Sequence, residues 1–302
     1  MTKAYNTYIR KWQDYVNRAK VDAPTHIDLA NLLTELYKDN ASHSTVNLAR
    51  SAVSAYVNIP GTASIGSHPV VRRLLKGIFE QRPSLPKYTE TWDVDTVMDS
   101  LAEWPDTYLL SLKQLTLRTV VLLALLSGQR GQSIHCLQVE DIKLHDNRCV
   151  IVYSSVVKQT KVGRHVKPLE LASFENKRLC IVLHLKENLC RTKDLRVGKE
   201  LFISFVKPHR HVSRDTISRW IKEVLNMAGI DTTKFSAHST RSASTSAAFD
   251  RDVPLDNILP AAGWSSLKTF SKFYCRPVFA THTKTDKSLA QSVLDKFVSK
   301  KC

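Results

Sequence analysis

One long apolar segment, residues 108–126, constrains the fold of this chain more than any other stretch of its sequence. The segment contains TLRTVVLLALL, and apolar side chains fall on nearly every face of the helix that it predicts. A helix that is apolar all round is buried in a core rather than lying at a surface. Its longest uninterrupted apolar run, at 120–126, is too short to span a membrane. The pattern therefore predicts a helix at the centre of a folded domain, ended by Gly128.

Basic residues outnumber acidic ones by a wide margin. Among 302 residues, 44 Lys and Arg against 28 Asp and Glu give a formal charge of +16. Such an excess indicates an anionic partner, with nucleic acid the first candidate and a membrane surface the weaker one. The six cysteines form no C-x-x-C pair and no Cys/His cluster, which indicates reduced thiols, an intracellular protein and no bound metal. The N-terminus lacks the apolar region of a signal peptide.

Apolar residues recur at helical spacing in four segments near the N-terminus. The segments lie at 5–19, 25–37, 46–57 and 70–79. Thr25 and Asp28 predict a capping box at the start of the second segment, and Pro60-Gly61 should end the third. The fourth carries a basic face, for which phosphate contact is one interpretation and a solvated surface the other. Its basic residues are Arg72, Arg73 and Lys76.

A polar stretch with two prolines, RPSLPKYTE at 82–90, follows these segments. It has no apolar periodicity, which indicates an extended chain. We therefore predict a helical domain at 1–82, a linker at 83–91 and a second domain at 92–302.

Helix signals dominate the second domain. Asp93 is placed to cap a helix that runs through Trp104, and Ser213 is placed to cap another that Gly229 ends. A last helix near the C-terminus carries one apolar stripe. The stripe consists of Leu289, Val293, Leu294, Phe297 and Val298.

One β region interrupts these helices. Alternating and β-branched residues at 149–157 and 165–171 flank a basic turn with Gly163, which is the pattern of a hairpin. Residues 201–205 predict a further short strand. The predicted fold class is therefore mostly α with a small β-sheet or hairpin.

Residues 238–274 carry the side chains that suggest chemistry. His238 and Arg241 are three residues apart, a spacing that places both on one face of a helix. Small residues at 242–248 let that helix approach other backbone closely. Trp264 follows a glycine, and Tyr274 comes ten residues later. An imidazole, a guanidinium, an indole N–H and a phenol, without an acidic cluster, suit a phosphodiester substrate.

The order of these motifs resembles the signature of the tyrosine recombinases, which are phage-integrase-type site-specific recombinases. The motifs are H-x-x-R, then G-W-S-S, then a tyrosine, preceded upstream by SGQRGQSI, which contains Arg130. No single motif is specific. H-x-x-R pairs often occur by chance on basic helices, and a lone tryptophan is usually a core residue. The resemblance implies an N-terminal helical (SAM-like) core-binding domain that grips DNA and a mixed α+β catalytic domain.

The resemblance also implies a role for each residue. Arg130 and Arg241 bind the non-bridging phosphate oxygens and neutralise charge in the transition state. Tyr274 attacks phosphorus to form a 3′-phosphotyrosyl link, with His238 as the base for a phenol, whose ordinary pKa is about 10. Trp264 occupies a position that is often histidine in the family. An indole donates one hydrogen bond but cannot carry a proton on and off, so its implied role is phosphate contact and packing.

The family carries its catalytic lysine, the acid for the departing 5′-oxygen, on a hairpin like the one predicted here. Lys158 and Lys161 both fit. Lys158 is favoured because it stands at the predicted strand end, where the backbone is better fixed; Lys161, after Thr160, is the alternative. Further DNA contacts are predicted for Lys161, Arg164, Arg214 and Arg219.

Two positions depart from the family pattern. Ser133 stands where the family usually has Glu or Asp, three residues after the first arginine. The interval from Trp264 to Tyr274 is one residue longer than is common. Both features look like the recombinases of eukaryotic mobile elements, namely DIRS-like retrotransposons and Cryptons.

We therefore predict a site-specific recombinase or integrase that acts on double-stranded DNA in the nucleus. It should need neither metal nor cofactor, because the covalent link conserves the bond energy. It should be a monomer in solution and a dimer or tetramer on DNA, joined through the C-terminal stripe, and should not bind membranes. The alternatives are strand passage like that of a type IB topoisomerase, and a domesticated DNA-binding protein without catalysis.

Overall fold

The computed structural model describes residues 3–57, 64–83, 88–157, 160, 167–264, 267, 270–271 and 274–279. Contacts divide the chain into an N-terminal unit, Met1–Lys87, and a C-terminal unit, Tyr88–Cys302. In the described residues, no helix is long and apolar enough to cross a lipid bilayer.

The described part of the N-terminal unit has the four α-helices that its apolar spacing predicts. They are α1 (Lys3–Ala19), α2 (His26–Lys38), α3 (His43–Tyr56) and α4 (Pro69–Gln81). Their apolar faces enclose a core that includes Trp12, Leu33 and Val53. The capping box is confirmed, since the Asp28 carboxylate accepts from the Thr25 amide at 2.8 Å and the Thr25 hydroxyl accepts from the next turn. Pro60 and Gly61 lie outside the described residues.

The central helix of the C-terminal unit is confirmed as α6 (Leu112–Ser127), which is buried along nearly its whole length. It begins four residues later than Tyr108, because Ser111 and Gln114 form a capping box. The Gln114 amide donates to the Ser111 hydroxyl at 3.3 Å, and the Ser111 amide donates to the Gln114 side chain at 3.1 Å. Residues 107–109 form a 3-10 turn instead.

Several helices surround α6. Asp93 caps α5 (Val94–Glu103) and Ser213 caps α9 (Arg214–Met227), as predicted. The other helices are α7 (Gly131–His135), α8 (Ile181–Thr192), α10 (Ser239–Asp250) and α11 (Leu255–Ala261). Apolar spacing does not single out α7, which is too short, or α8, whose buried face includes the polar residues His184, Asn188 and Thr192.

The predicted hairpin is present within a three-stranded antiparallel sheet, ordered β2 (Ile142–Leu144), β3 (Arg148–Ile151), β4 (Leu169–Ala172). Both strands expected for the hairpin, at 149–157 and 165–171, are shorter in the structure, where residues 167–168 are irregular and β4 begins at Leu169. β3 ends at Ile151, and beyond it the Ser154 amide donates to the Asp141 carboxylate at 2.9 Å rather than to a strand.

The strand predicted at 201–205 is wrong. Only an isolated bridge joins Ile203 to His211, because the chain reverses at once and the Ser204 amide bonds the Arg210 carbonyl at 2.8 Å.

A second, very short sheet joins distant parts of the chain. β1 (Thr91–Trp92) pairs in parallel with β5 (Val278–Phe279). Of the predicted linker at 83–91, residues 88–91 therefore pack within the C-terminal unit, whereas residues 84–87 lie outside the described part. The C-terminal stripe falls wholly outside the described residues.

Gly128 ends α6 in the left-handed conformation, with φ of 57°. A Cβ at this position would meet the Thr245 Cγ2 atom at 3.2 Å and the Ala262 Cβ atom at 3.6 Å. Both the backbone conformation and the space therefore require glycine.

We expect Gly128→Ala to lower the free energy of unfolding by about 1–2 kcal/mol, the cost of a left-handed residue with a Cβ. Gly77→Ala is the matched control, since Gly77 lies inside α4 with open space at its Cβ position. It should raise the stability of its own unit by about 0.5–1 kcal/mol. Chemical denaturation measures both, and an unchanged midpoint for Gly128→Ala would contradict the first expectation.

Candidate active site

Arg130 lies directly beyond the buried central helix. It is the N-cap residue of α7, two positions after the glycine that ends α6. Its Nη1 atom is buried and has no hydrogen-bond partner among the described residues. Buried donors normally have an acceptor, so this atom is available to a bound acceptor.

Arg241, on the first turn of α10, has 0% of its surface exposed. Its Nη1 atom donates to the carbonyl of Gly128 at 2.8 Å. Its Cζ atom lies 4.1 Å from the ring centre of Trp264 and 5.2 Å from that of Tyr274. Its Nε and Nη2 atoms are buried and lack a hydrogen-bond partner in the described part of the chain.

Burial lowers the pKa of the Arg241 guanidinium to about 9, and the positive charge of Arg130 acts in the same direction. The Tyr274 hydroxyl opposes both effects. The group is therefore cationic at neutral pH, although its charge is poorly compensated. A bound anion would stabilise the charged form.

Trp264 forms one wall beside these groups. It follows Gly263, whose φ is 68°, and its amide donates to the Leu259 carbonyl at 2.8 Å. The ring is 5% exposed and lies 4.6 Å from the ring centre of Tyr274. Its indole Nε1 atom is buried without a hydrogen-bond partner among the described residues.

The Tyr274 hydroxyl lies 3.2 Å from the Nε2 atom of His238. The two rings meet edge to face, with centres 6.0 Å apart. His238 is exposed and is the N-cap residue of α10, so the imidazole stands at the start of the helix that carries Arg241. A phenol and an imidazole at this distance can exchange a proton.

Two serines of α10 hold the backbone at Tyr274. The hydroxyls of Ser242 and Ser246 each donate to the Tyr274 carbonyl at 2.9 Å. The Ser246 hydroxyl also accepts from the Arg276 amide at 3.0 Å. The small side chains at 242–248 thus bring the tyrosine segment against the helix, as their size predicts, and their hydroxyls fix it there.

A cleft of about 360 Å³ opens over this cluster. Of the cluster, Arg130, His238 and Tyr274 line the cleft, whereas the buried Arg241 and Trp264 do not. The first turns of α9 add Arg214, Asp215 and Ser218 to the lining. In the described residues, no three His, Cys, Asp or Glu side chains come together as a metal site. The cleft lining thus combines two cationic side chains, one carboxylate and one serine hydroxyl with the imidazole and the phenol.

The structure brings together five of the six residues predicted for catalysis: Arg130, His238, Arg241, Trp264 and Tyr274. The sixth, Lys158, and its alternative Lys161 lie outside the described residues, as does Arg164. The reason for preferring Lys158 is weakened, because β3 ends at Ile151 rather than beside Lys158.

The other predicted DNA contacts lie in two places. Arg214 lines the cleft, and Arg219 is exposed on α9, where its Nη2 atom donates to the Thr216 hydroxyl at 3.1 Å. In the N-terminal unit, three basic residues are exposed on α4 opposite its buried face; they are Arg72, Arg73 and Lys76.

Sequence reasoning missed three supports of the site. These are the Gly128 carbonyl, the hydroxyls of Ser242 and Ser246, and the β1–β5 pairing. The small size of the side chains at 242–248 predicted close packing. It did not predict that the hydroxyls of Ser242 and Ser246 donate hydrogen bonds to the Tyr274 carbonyl. The pairing of two-residue strands leaves no pattern in a sequence.

Comparisons with known proteins identify the family and the fold of this chain. The sequence profile of the Phage integrase family matches residues 91–280, more than half of the chain. The sequence matches no curated protein.

Among solved structures, the chain is similar to the XerH site-specific recombinase bound to palindromic difH substrate in a post-cleavage complex. That similarity has a TM-score of 0.62 and 17% identity, covering 98% of this chain and 78% of that one. The Tn1549 transposon integrase in complex with transposon right end DNA gives a TM-score of 0.61 and 12% identity, covering 99% and 95%. A lambda integrase dimer bound to a COC′ core site gives a TM-score of 0.53 and 17% identity, covering 94% of this chain and 91% of that one.

At these identities the solved structures establish the fold, which is the mostly helical fold with a small antiparallel sheet expected from the sequence. The match of the family profile extends from β1 to the residue after β5 and includes the five clustered residues. The chain belongs to the phage integrase family.

Proposed function

We propose that this chain cleaves and rejoins DNA through a 3′-phosphotyrosyl intermediate, with Tyr274 as the nucleophile. The observation that carries the proposal is the Tyr274 hydroxyl, 3.2 Å from an imidazole and close to two guanidiniums with unsatisfied buried donors. The family is one of DNA strand-transfer enzymes that work without metal ions. The chemistry must therefore come from side chains of the chain itself.

The two arginines bind the phosphodiester. Arg130 offers its Nη1 atom, Arg241 offers Nε and Nη2, and the Trp264 indole offers one more N–H. Non-bridging oxygens accept several hydrogen bonds at once, and cationic donors stabilise the charge that grows as phosphorus becomes pentacoordinate. Arg241 is already fixed by the Gly128 carbonyl, so little reorganisation accompanies substrate binding.

His238 takes the phenolic proton as Tyr274 attacks phosphorus. The bond from phosphorus to the 5′-oxygen of the next nucleotide then breaks, and that oxygen must receive a proton. A lysine of the segment after β3 supplies it in this proposal, with Lys158 favoured and Lys161 the alternative. Rejoining reverses the steps with a 5′-hydroxyl as the nucleophile, so no external energy source is needed.

Double-stranded DNA is the proposed partner. The net charge of +16 and the basic residues of α4 and α9 support it. The similar XerH, Tn1549 and lambda proteins were each solved bound to DNA, and the lambda integrase as a dimer or a tetramer. We propose that this chain is a monomer in solution that assembles into a dimer or tetramer on DNA, with the N-terminal unit gripping the core site.

The biological setting we propose is integration or excision of a eukaryotic mobile element in the nucleus. Ser133, which is 1% exposed on α7, and the longer interval between Trp264 and Tyr274 support this placement. A DIRS-like retrotransposon and a Crypton fit the two features equally well.

Replacing Tyr274 with Phe tests the nucleophile, since it removes the hydroxyl and keeps the ring beside Trp264 and Arg241. We expect half-site affinity to be unchanged and the covalent adduct on a suicide DNA substrate to disappear. Tyr108→Phe is the control, because Tyr108 is 68% exposed. A denaturant-resistant adduct formed by Tyr274→Phe would remove Tyr274 from this role.

Replacing Arg241 or Arg130 with Lys keeps the positive charge but removes the planar guanidinium and its paired N–H donors. We expect single-turnover cleavage to fall at least about 100-fold for each, the usual effect of losing one transition-state donor. Binding should change much less. The matched control is Arg251→Lys, whose guanidinium lies on the surface and bonds Asp95. Cleavage at the wild-type rate by either Lys variant would exclude that arginine from the clamp.

A DNA substrate with a 5′-bridging sulfur separates the two candidate lysines, because its leaving group needs no acid. Lys158→Ala should lose cleavage on ordinary DNA and regain it on this substrate. Lys161→Ala should show little defect on either. The opposite pattern would identify Lys161 as the acid.

A further inference from the structure

The Trp92 side chain contacts the chain next to one catalytic group. Its indole Nε1 atom donates to the Ser239 hydroxyl at 2.8 Å, and both residues are buried, at 3% and 2% exposed. Ser239 directly follows His238. The contact joins two positions 147 residues apart in sequence.

An indole N–H can only donate, so the Ser239 hydroxyl accepts this hydrogen bond and its own proton goes to a second one. The acceptor of the second bond is the Ser236 carbonyl, at 2.7 Å. The Ser239 amide also donates to that carbonyl, at 2.8 Å. Residues 236–239 therefore form a closed turn that contains His238, and Trp92 contacts this turn from outside.

Tyr88 supports the same turn from the other end. Its hydroxyl lies 2.9 Å from the Ser236 hydroxyl and accepts from the Ser236 amide at 3.1 Å. Its ring lies 5.5 Å from that of Phe235. Tyr88, the first residue of the C-terminal unit, is thus hydrogen-bonded to the turn that contains His238.

The residue before Trp92 contacts the chain beyond the other catalytic group. The Thr91 amide donates to the Pro277 carbonyl at 2.9 Å, and Thr91 pairs with Val278 in the parallel β1–β5 ladder. Those residues lie three and four positions after Tyr274. The dipeptide Thr91–Trp92 therefore bridges the backbone segments that hold His238 and Tyr274.

We propose that Trp92 is a positioning residue that sets the contact between His238 and Tyr274, acting through Ser239; the inference rests on the proposed function. A phenol must meet its base and the phosphorus within a fraction of an ångström, so a small displacement of the turn reduces the rate strongly. The competing explanation is that Trp92 only fills the core of the C-terminal unit. That role predicts a loss of stability without a specific effect on His238.

The test compares Trp92→Phe, which keeps a buried ring but loses the N–H, with Ser239→Ala, which loses the acceptor. On a suicide substrate, each should slow single-turnover cleavage by about 10-fold to 100-fold, and the double variant should be no slower than either. Half-site binding should stay within about twofold of wild type, since neither residue lines the cleft. Trp104→Phe is the matched control, because it removes an indole that packs on Arg118 at 5.4 Å in the same unit.

The decisive comparison measures cleavage of the substrate with a 5′-bridging sulfur by His238→Ala, with and without Trp92→Phe. If Trp92 acts through the imidazole, adding Trp92→Phe to His238→Ala should slow cleavage no further. A core-filling role gives the full defect in both backgrounds, and that result would overturn the proposal. Ser239→Ala gives the same comparison with a smaller change if Trp92→Phe is unstable.

A readout without catalysis separates this inference from the proposed function. The NMR ring signals of His238, assigned by their loss in His238→Ala, should shift in Trp92→Phe and stay unchanged in Trp104→Phe. If wild type forms no adduct with DNA, the proposed function fails, and these signals still decide whether Trp92 positions the imidazole. Signals identical to wild type in Trp92→Phe, together with wild-type cleavage, would exclude it.

Discussion

The guanidinium of Arg241 places a positive charge where no water reaches it. Transferring an isolated ion from water into a protein interior costs several kcal/mol even after relaxation. The carbonyl of Gly128 and the faces of Trp264 and Tyr274 offset part of this cost, while burial and the charge of Arg130 both lower the pKa of the guanidinium. A bound anion would supply the missing negative charge.

The helices α6 and α10 together position the guanidinium of Arg241. α6 is apolar on all sides because it is enclosed by other helices, and its left-handed end turns the Gly128 carbonyl toward α10. α10 is built from small residues because both the end of α6 and the tyrosine segment pack closely on it. The chemistry and the core therefore share one helix. A change in the packing of α10 would displace Arg241, His238 and the backbone at Tyr274 together.

Features encoded by neighbouring residues could be predicted from the sequence. Caps at Thr25, Asp93 and Ser213, the burial of α6 and the spacing of His238 and Arg241 depend on a few adjacent positions. Features decided by distant contacts could not. β3 ends early because of the Asp141 carboxylate, and Trp92 joins the site through a serine far along the chain. Neither partner of such a contact carries a local signal, since a buried tryptophan and a helical serine are both ordinary.

The separation of the two arginines depends on very little chain. Arg241 is tied to the carbonyl of Gly128, and Arg130 follows two residues later, so one hydrogen bond and one dipeptide set the gap between the guanidiniums. A single residue inserted between Gly128 and Arg130 would therefore change the distance between the two guanidiniums, although it would lie outside both side chains.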